Sequence, residues 1–467
     1  LAIGALLIAA LAALFAVPYA VDWNGYRGVF EEEASRMLGR DVRVGGKVDV
    51  RLLPVPYVSF GKLRVADAVN ETGEPLFRAD SFTMWLSVPP LLRGVLEARA
   101  VELKKPALRL VVDSEHGGTW TQNAVTGAGS LPFLPQAVAL QSVRVSSGTV
   151  TVARTDGSAL AELTGIDGEL EAEALEGPFR FKGSARWNDS PREIRLATAR
   201  MDADGSLRLK TTVRVADTAN SYVLEGRVSD VKSRPNLEGE LTAKIALPEL
   251  AAAGQPQSPP AKGGANPERA QVDVRAVVQA DGTGFKMKDV ALSLDNVGQP
   301  QLVSGEAQMA WVARPTASVR LGSKLIDLDR IAGAKDNAGK PVAGRQEVGA
   351  LGLMRALTVA LVDTLPASAD FSAFLAIDQA TLGGQDLSGV SVLIERAGNK
   401  LELKDLKAGV PGGGLLDAFG QFAGEAGHPF SGQVALRGAS LQRFLDWAAK
   451  GATAGRADGP FLIQGKL

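Results

Sequence analysis

Four stretches of the sequence carry residue types that could do chemistry. Ser229-Asp230-Val231-Lys232 has the Ser-x-x-Lys spacing of a serine activated by a lysine. It falls at a strand end without companion motifs, and such a tetrapeptide is common by chance. Asp202-Ala203-Asp204-Gly205 opens like a calcium loop, yet the later ligands and the closing Glu are missing. A β-turn between two strands accounts for it better. Asp113, Glu115 and His116 could lend ligands to a metal, but they lie beside the Gly117-Gly118 turn and read as solvated loop residues. The glycines at 409 and 412–414 lack the Lys-Ser/Thr of a phosphate loop. With no Cys and only two His, His116 and His428, thiolate chemistry is excluded and histidine chemistry has little room. The expectation is a protein that is not an enzyme and uses no cofactor or metal.

The elements around these stretches are of two kinds. The first is the run Leu1–Ala20, which carries no charge. At about 1.5 Å per residue it reaches roughly 30 Å as a helix, the thickness of a bilayer's hydrocarbon core. Leu6, Leu7, Leu11, Leu14 and Phe15 would face lipid, with Tyr19 and Trp23 at the boundary where aromatic rings collect. A cleavable secretory signal is the alternative. The run is longer than a signal's apolar core and no good small-residue cleavage site is evident, so a retained anchor is expected. The acidic flank, with Asp22 and Glu31–Glu33, suits a translocated side. Single-pass insertion, with the body outside the cytosol, is the expectation.

The second kind is strands. Of 467 residues, 45% are apolar, and 52 glycines punctuate the chain against 6% aromatics, the profile of many turns joining plain strands. Net charge is −1 with Lys and Arg scattered, so the basic footprint of a nucleic-acid binder is missing. Residues 24–38 have an amphipathic helical pattern, stopped by Gly39, which would either lie on a membrane surface or cover one end of a sheet. From Val42 the period becomes two. Val48, Val50 and Leu52 alternate with charged residues, as do Leu207, Leu209 and Val213. Phe82, Met84, Leu86 and Val88 form a further alternating set, and so do Leu108 and Leu110. Such strands are half-buried, and the meander from 143 to 247 leaves no room for crossover helices.

Residues 251–268, rich in Pro, Gly, Ala and Gln, read as a flexible linker. Residues 332–349 form a second soft stretch ahead of an apolar helix over 351–365, too short and too charged to span a bilayer. Another helix over 441–450 is capped by Ser440. The implied divisions are an anchor at 1–21, a helix-plus-β module at 22–135, antiparallel β body at 136–250 and 269–331, flexible segment plus helix at 332–370, and a β repeat region at 371–467. The chain opens on Leu and stops in mid-strand, and it reads as part of a longer protein.

Order and spacing over the first 120 residues carry a resemblance. Asp22, Tyr26-Arg27, Gly39-Arg40, Gly46 and Leu53-Pro54 are followed by Pro75-Leu76, Ala79-Asp80, Pro90-Leu91-Leu92, Gly94, Leu103, Pro106 and Gly118-x-Trp120. This set resembles the N-terminal region of the AsmA family of Gram-negative envelope proteins. Three later segments resemble that family's C-terminal repeats: Ser323 to Asp329, Gly383-Gly384 to Val390, and Leu436-Arg437-Gly438 to Trp447. The resemblance implies a single-pass anchor in the bacterial inner membrane and a β-rich body in the periplasm, akin to the bridge-like lipid transfer proteins, whose sheets curl into a groove with an apolar lining. It implies phospholipid transport, or upkeep of lipid balance, between inner and outer membranes.

The fold expected is mainly β, an elongated and curled antiparallel sheet forming a repeating groove, with an N-terminal transmembrane helix and a few short helices. Too few helices follow the anchor to cover the strands, so the apolar face meets a second sheet, closes into a barrel, or is covered by ligand. Alternation alone does not separate these. Under the family resemblance the lining is Val48, Val50, Leu52, Phe82, Met84, Leu86, Val88, Leu108, Leu110, Leu207, Leu209 and Val213, with lipid acyl chains as partner. A structural or assembly factor for the outer membrane, acting through protein contacts, is the other function considered.

Overall fold

The computed structural model describes residues 21–51, 55–66, 75–87, 98–112, 142–154, 157–172, 177–216, 218, 220–231, 235–246, 271–294, 301–311, 314–332, 349–364, 369–423, 429–449 and 458–466. The expected anchor residues Leu6, Leu7, Leu11, Leu14, Phe15 and Tyr19 lie outside this set, as do Leu52, Val88, His116, Lys232 and the 251–268 linker. Among the described residues no helix is long and apolar enough to cross a membrane. The described chain is mainly β, and it divides into two compact units. Unit 1 comprises Leu1–Ala216, Val223–Gly239 and Asp281–Thr283; unit 2 comprises Asp217–Tyr222, Glu240–Ala280 and Gly284–Leu467.

Unit 1 begins with a 3-10 turn, Trp23–Tyr26, and helix α1, Arg27–Leu38, closed by Gly39 in the left-handed conformation. Its strands are β1 (Val42–Val44), β2 (Val48–Arg51), β3 (Tyr57–Val65), β4 (Phe77–Leu86), β5 (Ala98–Lys104) and β6 (Ala107–Val112). They continue with β7 (Ser142–Arg154), β8 (Ala159–Ala172), β9 (Phe179–Trp187), β10 (Ser190–Thr198) and β11 (Leu207–Val215). β1 and β2 share one partner, β3, which pairs on its other side with β4. β5 and β6, separated only by Lys105 and Pro106, both pair with β4 and with β7. From β7 to β11 each strand pairs with the next.

Strands β12 (Ser221–Ser229) and β13 (Asn236–Ala246) fall at the division between units. Unit 2 holds β14 (Gln271–Ala280), β15 (Gly284–Leu294), β16 (Gln301–Ala310) and β17 (Thr316–Asp327), then helices α2 (Leu328–Ile331) and α3 (Ala350–Thr364). It ends with β18 (Asp370–Leu382), β19 (Gln385–Ala397), β20 (Lys400–Val410), β21 (Gly414–Phe422), β22 (Phe430–Gly438), α4 (Leu441–Ala448) and β23 (Phe461–Lys466). Neighbours in this series pair in sequence order from β14 to β23.

The sheet is not purely antiparallel as expected. β7 runs parallel to β5 and β6, and β18 runs parallel to β17. Parallel neighbours need a return connection of about a dozen residues or more. Residues 113–141 supply one, and the stretch containing α2 and α3 supplies the other. Alternation on a strand is the same for either direction of its neighbour, so periodicity did not disclose these pairings.

Candidate functional site: an apolar face on the sheet

Directly opposed residues of paired strands share a face, so the register shows which side chains stand together. In unit 1 one such row runs Val48, Phe60, Phe82, Leu103, Val145, Gly168, Gly183, Ile194, Val213. A second runs Val50, Val58, Met84, Val101, Val143, Leu170, Phe181, Leu196, Thr211. A third links Val42, Val65, Phe77, Leu108, Val150 and Leu163, beside which Leu110, Val152 and Ala161 stand opposite one another. The strands thus present one nearly continuous apolar face from β1 to β11.

Keeping that face apolar takes local irregularities, because inward positions change parity along several strands. In β3 they are 58 and 60, then 63 and 65, with the switch at Lys62 in the left-handed conformation. In β7 they are 143 and 145, then 150 and 152, around Ser147, which is also left-handed. Each acts as a bulge that re-aims the following side chains. Gly168 and Gly183 face each other across β8 and β9, and the Phe181 ring tip would be 2.8 Å from a Cβ added at either. The ring fills the space that two side chains would otherwise need.

One end of the face is covered. Trp23 and Phe30 pack on Val44, Val48 and Val50, and Ala34 and Leu38 pack on Val42, Val65, Phe77 and Ala79. Phe30 meets Phe60 edge-on at 5.5 Å between ring centroids. The same helical segment satisfies the free N–H groups of the edge strands. Val42 N donates to Ser35 Oγ at 2.9 Å, Val44 N to Glu31 Oε1 at 2.7 Å, and Val48 N to Asn24 Oδ1 at 3.0 Å. Arg27 Nη2 donates to the Gly46 carbonyl at 2.8 Å, holding the turn between β1 and β2. Of the two settings read from the amphipathic pattern, α1 takes the sheet end. Trp23 therefore packs on the body, and Val48 and Val50 face the apolar side beneath the helix.

Beyond the cap the face is partly open. Phe82, Met84, Leu108, Leu110, Leu170, Phe181, Ile194, Leu196, Leu207, Leu209 and Val213 are all half-buried. Leu86, opposite Ala98, is buried, and Leu207 and Leu209 continue the face of β11. The expected lining residues that are described stand on this one face. Phe60, Leu103, Val145, Leu170, Phe181 and Ile194 join them; each lies in an alternating stretch, but only the register puts them in the same rows.

Unit 2 repeats the arrangement with a helix on it. Its rows include Val290, Gly305, Leu321, Leu375, Val392, Leu406, Ala418 and Val434. Val362 of α3 packs among Phe371, Ile394, Leu401, Leu403 and Ala418, while Leu353 packs with Ile377, Leu382, Val390 and Ala408. At about 1.5 Å per residue these contacts span some 14 Å of helix, so α3 lies along the apolar face.

Two of the four chemistry-bearing stretches make hydrogen bonds within the fold at their described residues. Gly205 N donates to the Asp202 carbonyl at 2.9 Å, closing the expected turn. Ser206 donates to Asp204 Oδ1 at 2.6 Å, and Arg227 Nη2 reaches Asp204 Oδ2 at 2.8 Å. The Ser206 hydrogen bonds, with Arg227 beside them, hold the Asp204 carboxyl below the usual carboxylate range. Ser229 Oγ donates to the Asn236 carbonyl at 3.4 Å, spanning β12 and β13.

Fold and face together define a mainly β protein whose sheet carries an apolar side, closed by a helix at its first strands. The sequence model of the AsmA family matches residues 1–189, so the N-terminal part of the chain is similar to that family. The match takes in α1, the capped strands and the rows as far as β9. Comparison with curated proteins and with solved structures finds no significant match.

Proposed function

We propose that the protein binds lipid acyl chains along the apolar face of unit 1 and supports phospholipid transport or lipid homeostasis between inner and outer membranes. The carrying observation is the state of the rows on β7 to β11. Their Val, Leu, Ile and Phe side chains share one side of the sheet and are left half-buried. Apolar surface of that extent favours an apolar covering, and an acyl chain gains about 0.8 kcal/mol for each CH₂ it buries. The attraction is non-directional, so a row of aliphatic side chains serves without a shaped pocket. The AsmA family match over residues 1–189 supports an envelope setting. On this reading the uncharged stretch 1–20 anchors the protein in the inner membrane, and the cap formed by Trp23 and α1 sits near the bilayer where lipid enters.

Native mass spectrometry of the purified chain tests it. The expected result is co-purified phospholipid that is lost in Leu170→Asp and Ile194→Asp variants while the β-sheet circular dichroism persists. Lipid-free wild-type protein would overturn it. A second function, docking of an envelope protein by strand addition, draws on β23. It pairs only with β22 among the described residues and leaves Leu462 and Ile463 exposed.

A further inference from the structure

Among the described residues of β3 to β11, the apolar face is almost free of charge, and the charges that it does carry have one sign. By register Arg192 of β10 stands between Ala185 of β9 and Val215 of β11, in line with Ile194 and Leu196. Both of its neighbours across the strands are buried. Its guanidinium lies over the Trp187 ring, 5.5 Å from the centroid, and its Nε is buried with no hydrogen-bond partner. Arg154 of β7, opposite Val112, is on the same side of the sheet, and its Nε is likewise buried without a partner. Carboxylates of these strands, such as Glu162, Glu169, Glu171 and Glu193, occupy alternate positions and face the other way. Among the described residues of β3 to β11, none stands on the apolar side.

Leaving a cation on an apolar face with no counter-charge is costly, and the cation–π contact with Trp187 offsets only part of that cost. A guanidinium set over an aromatic ring keeps outer N–H donors in a planar fork, the geometry that matches phosphate oxygens. Unit 2 shows the same pairing. Arg396 stands between Phe371 and Leu401 on the apolar side, lies over the Phe371 ring at 5.5 Å, and also has an unpartnered Nε.

Resting on the acyl-chain function proposed above, we infer that Arg192 and Trp187 form a headgroup site: Arg192 binds the phosphate of a glycerophospholipid whose acyl chain lies on the adjoining rows through Ile194 and Val213. The charge complement fixes the ligand class. An anionic head must follow an apolar tail, so neutral diacylglycerol fits the rows but not the site.

The test offers the purified full chain phosphatidylglycerol and diacylglycerol with identical acyl chains, and reads occupancy by native mass spectrometry. Wild type is expected to favour phosphatidylglycerol about tenfold, and Arg192→Gln to bring the ratio close to one while diacylglycerol occupancy is unchanged. Arg192→Lys, which keeps the charge but not the fork, is expected between the two. Circular dichroism checks that each variant keeps its sheet. An unchanged ratio in Arg192→Gln overturns the headgroup site, and so does displacement of the lipid by millimolar inorganic phosphate, which would mark a free-anion site. Equal wild-type occupancy by both lipids overturns the headgroup site alone. Occupancy by neither overturns the acyl-chain function and the site with it.

Discussion

Asp329 receives Gly383 across 54 positions of sequence: its Oδ1 accepts the Gly383 N–H at 2.6 Å, and its Oδ2 accepts that of Gly384 at 2.9 Å. Asp329 is buried, and both glycines take the left-handed backbone that a two-residue turn between β18 and β19 requires. Asp327, two residues earlier, caps α2 by accepting from Asp329 N and Arg330 N. Trp447 of α4 donates its Nε1 to the Leu382 carbonyl at 2.7 Å, beside the same turn. The three C-terminal segments that resemble family repeats therefore meet at one point, where the start of α3 is also seated: Ala350 is fully buried against Gly383.

Replacing Asp329 by Ala leaves two N–H groups without their acceptor, each costing about 1–3 kcal/mol when buried. Chemical denaturation is expected to show a loss of about 3 kcal/mol, with Asp329→Asn losing less because one acceptor oxygen remains. A loss below about 0.5 kcal/mol in Asp329→Ala would contradict the role of this carboxylate.

Much of this was readable in the sequence, and the part that was not has a physical reason. Alternation identified strands such as β2, β4, β6 and β11, Gly39 marked the end of α1, and Ser440 marked the start of α4. Pairing direction was hidden, since an alternating strand looks the same beside a parallel or an antiparallel neighbour. Parity changes were hidden too. Lys62 and Ser147 take left-handed backbone as ordinary polar residues, with nothing in their type to announce it. Val48 and Val50 alternate with charged residues in the sequence, but only the contacts of Trp23 and Phe30 show that a helix covers them. The place of Arg192 on the apolar face was equally hidden, because it resembles any other arginine until the register sets it between Ala185 and Val215.

The cap on the first strands should behave as a unit. Ser35 and Glu31 accept from the edge N–H groups of β1. Ser35→Ala with Glu31→Ala is expected to destabilise by about 2 kcal/mol, near the sum of two hydrogen bonds. Hydrogen exchange at Val42 and Val44 should accelerate by at least tenfold, while exchange in β9 and β10 stays unchanged. Uniform acceleration through unit 1 would show that the cap is not local.

Acid should weaken the start of α4. Ser440 Oγ lies 2.8 Å from both Asp458 carboxylate oxygens, and Gln442 N and Gly459 N donate to Oδ1. Led by the Ser440 bond, these contacts hold the Asp458 carboxyl below the usual aspartate range. A carboxyl depressed by folding stabilises above its unfolded value, about 3.9, and that contribution disappears as pH falls through the lower folded value. Asp458→Asn is therefore expected to be less stable than wild type at neutral pH, with the difference shrinking below about pH 4. A difference constant from pH 7 to 3 would contradict the assignment.

The most direct test of acyl-chain binding uses the alternation itself. A photo-crosslinking amino acid is placed singly at Leu170, Ile194 and Val213 on the apolar face, and at Glu169, Glu193 and Arg214 on the other. The full chain is irradiated in cell envelopes, and lipid adducts are read by mass spectrometry. The proposed function predicts acyl-chain adducts at the first three positions and none at the second three. Equal labelling of both sets, or protein adducts alone at Leu170, Ile194 and Val213, would contradict it.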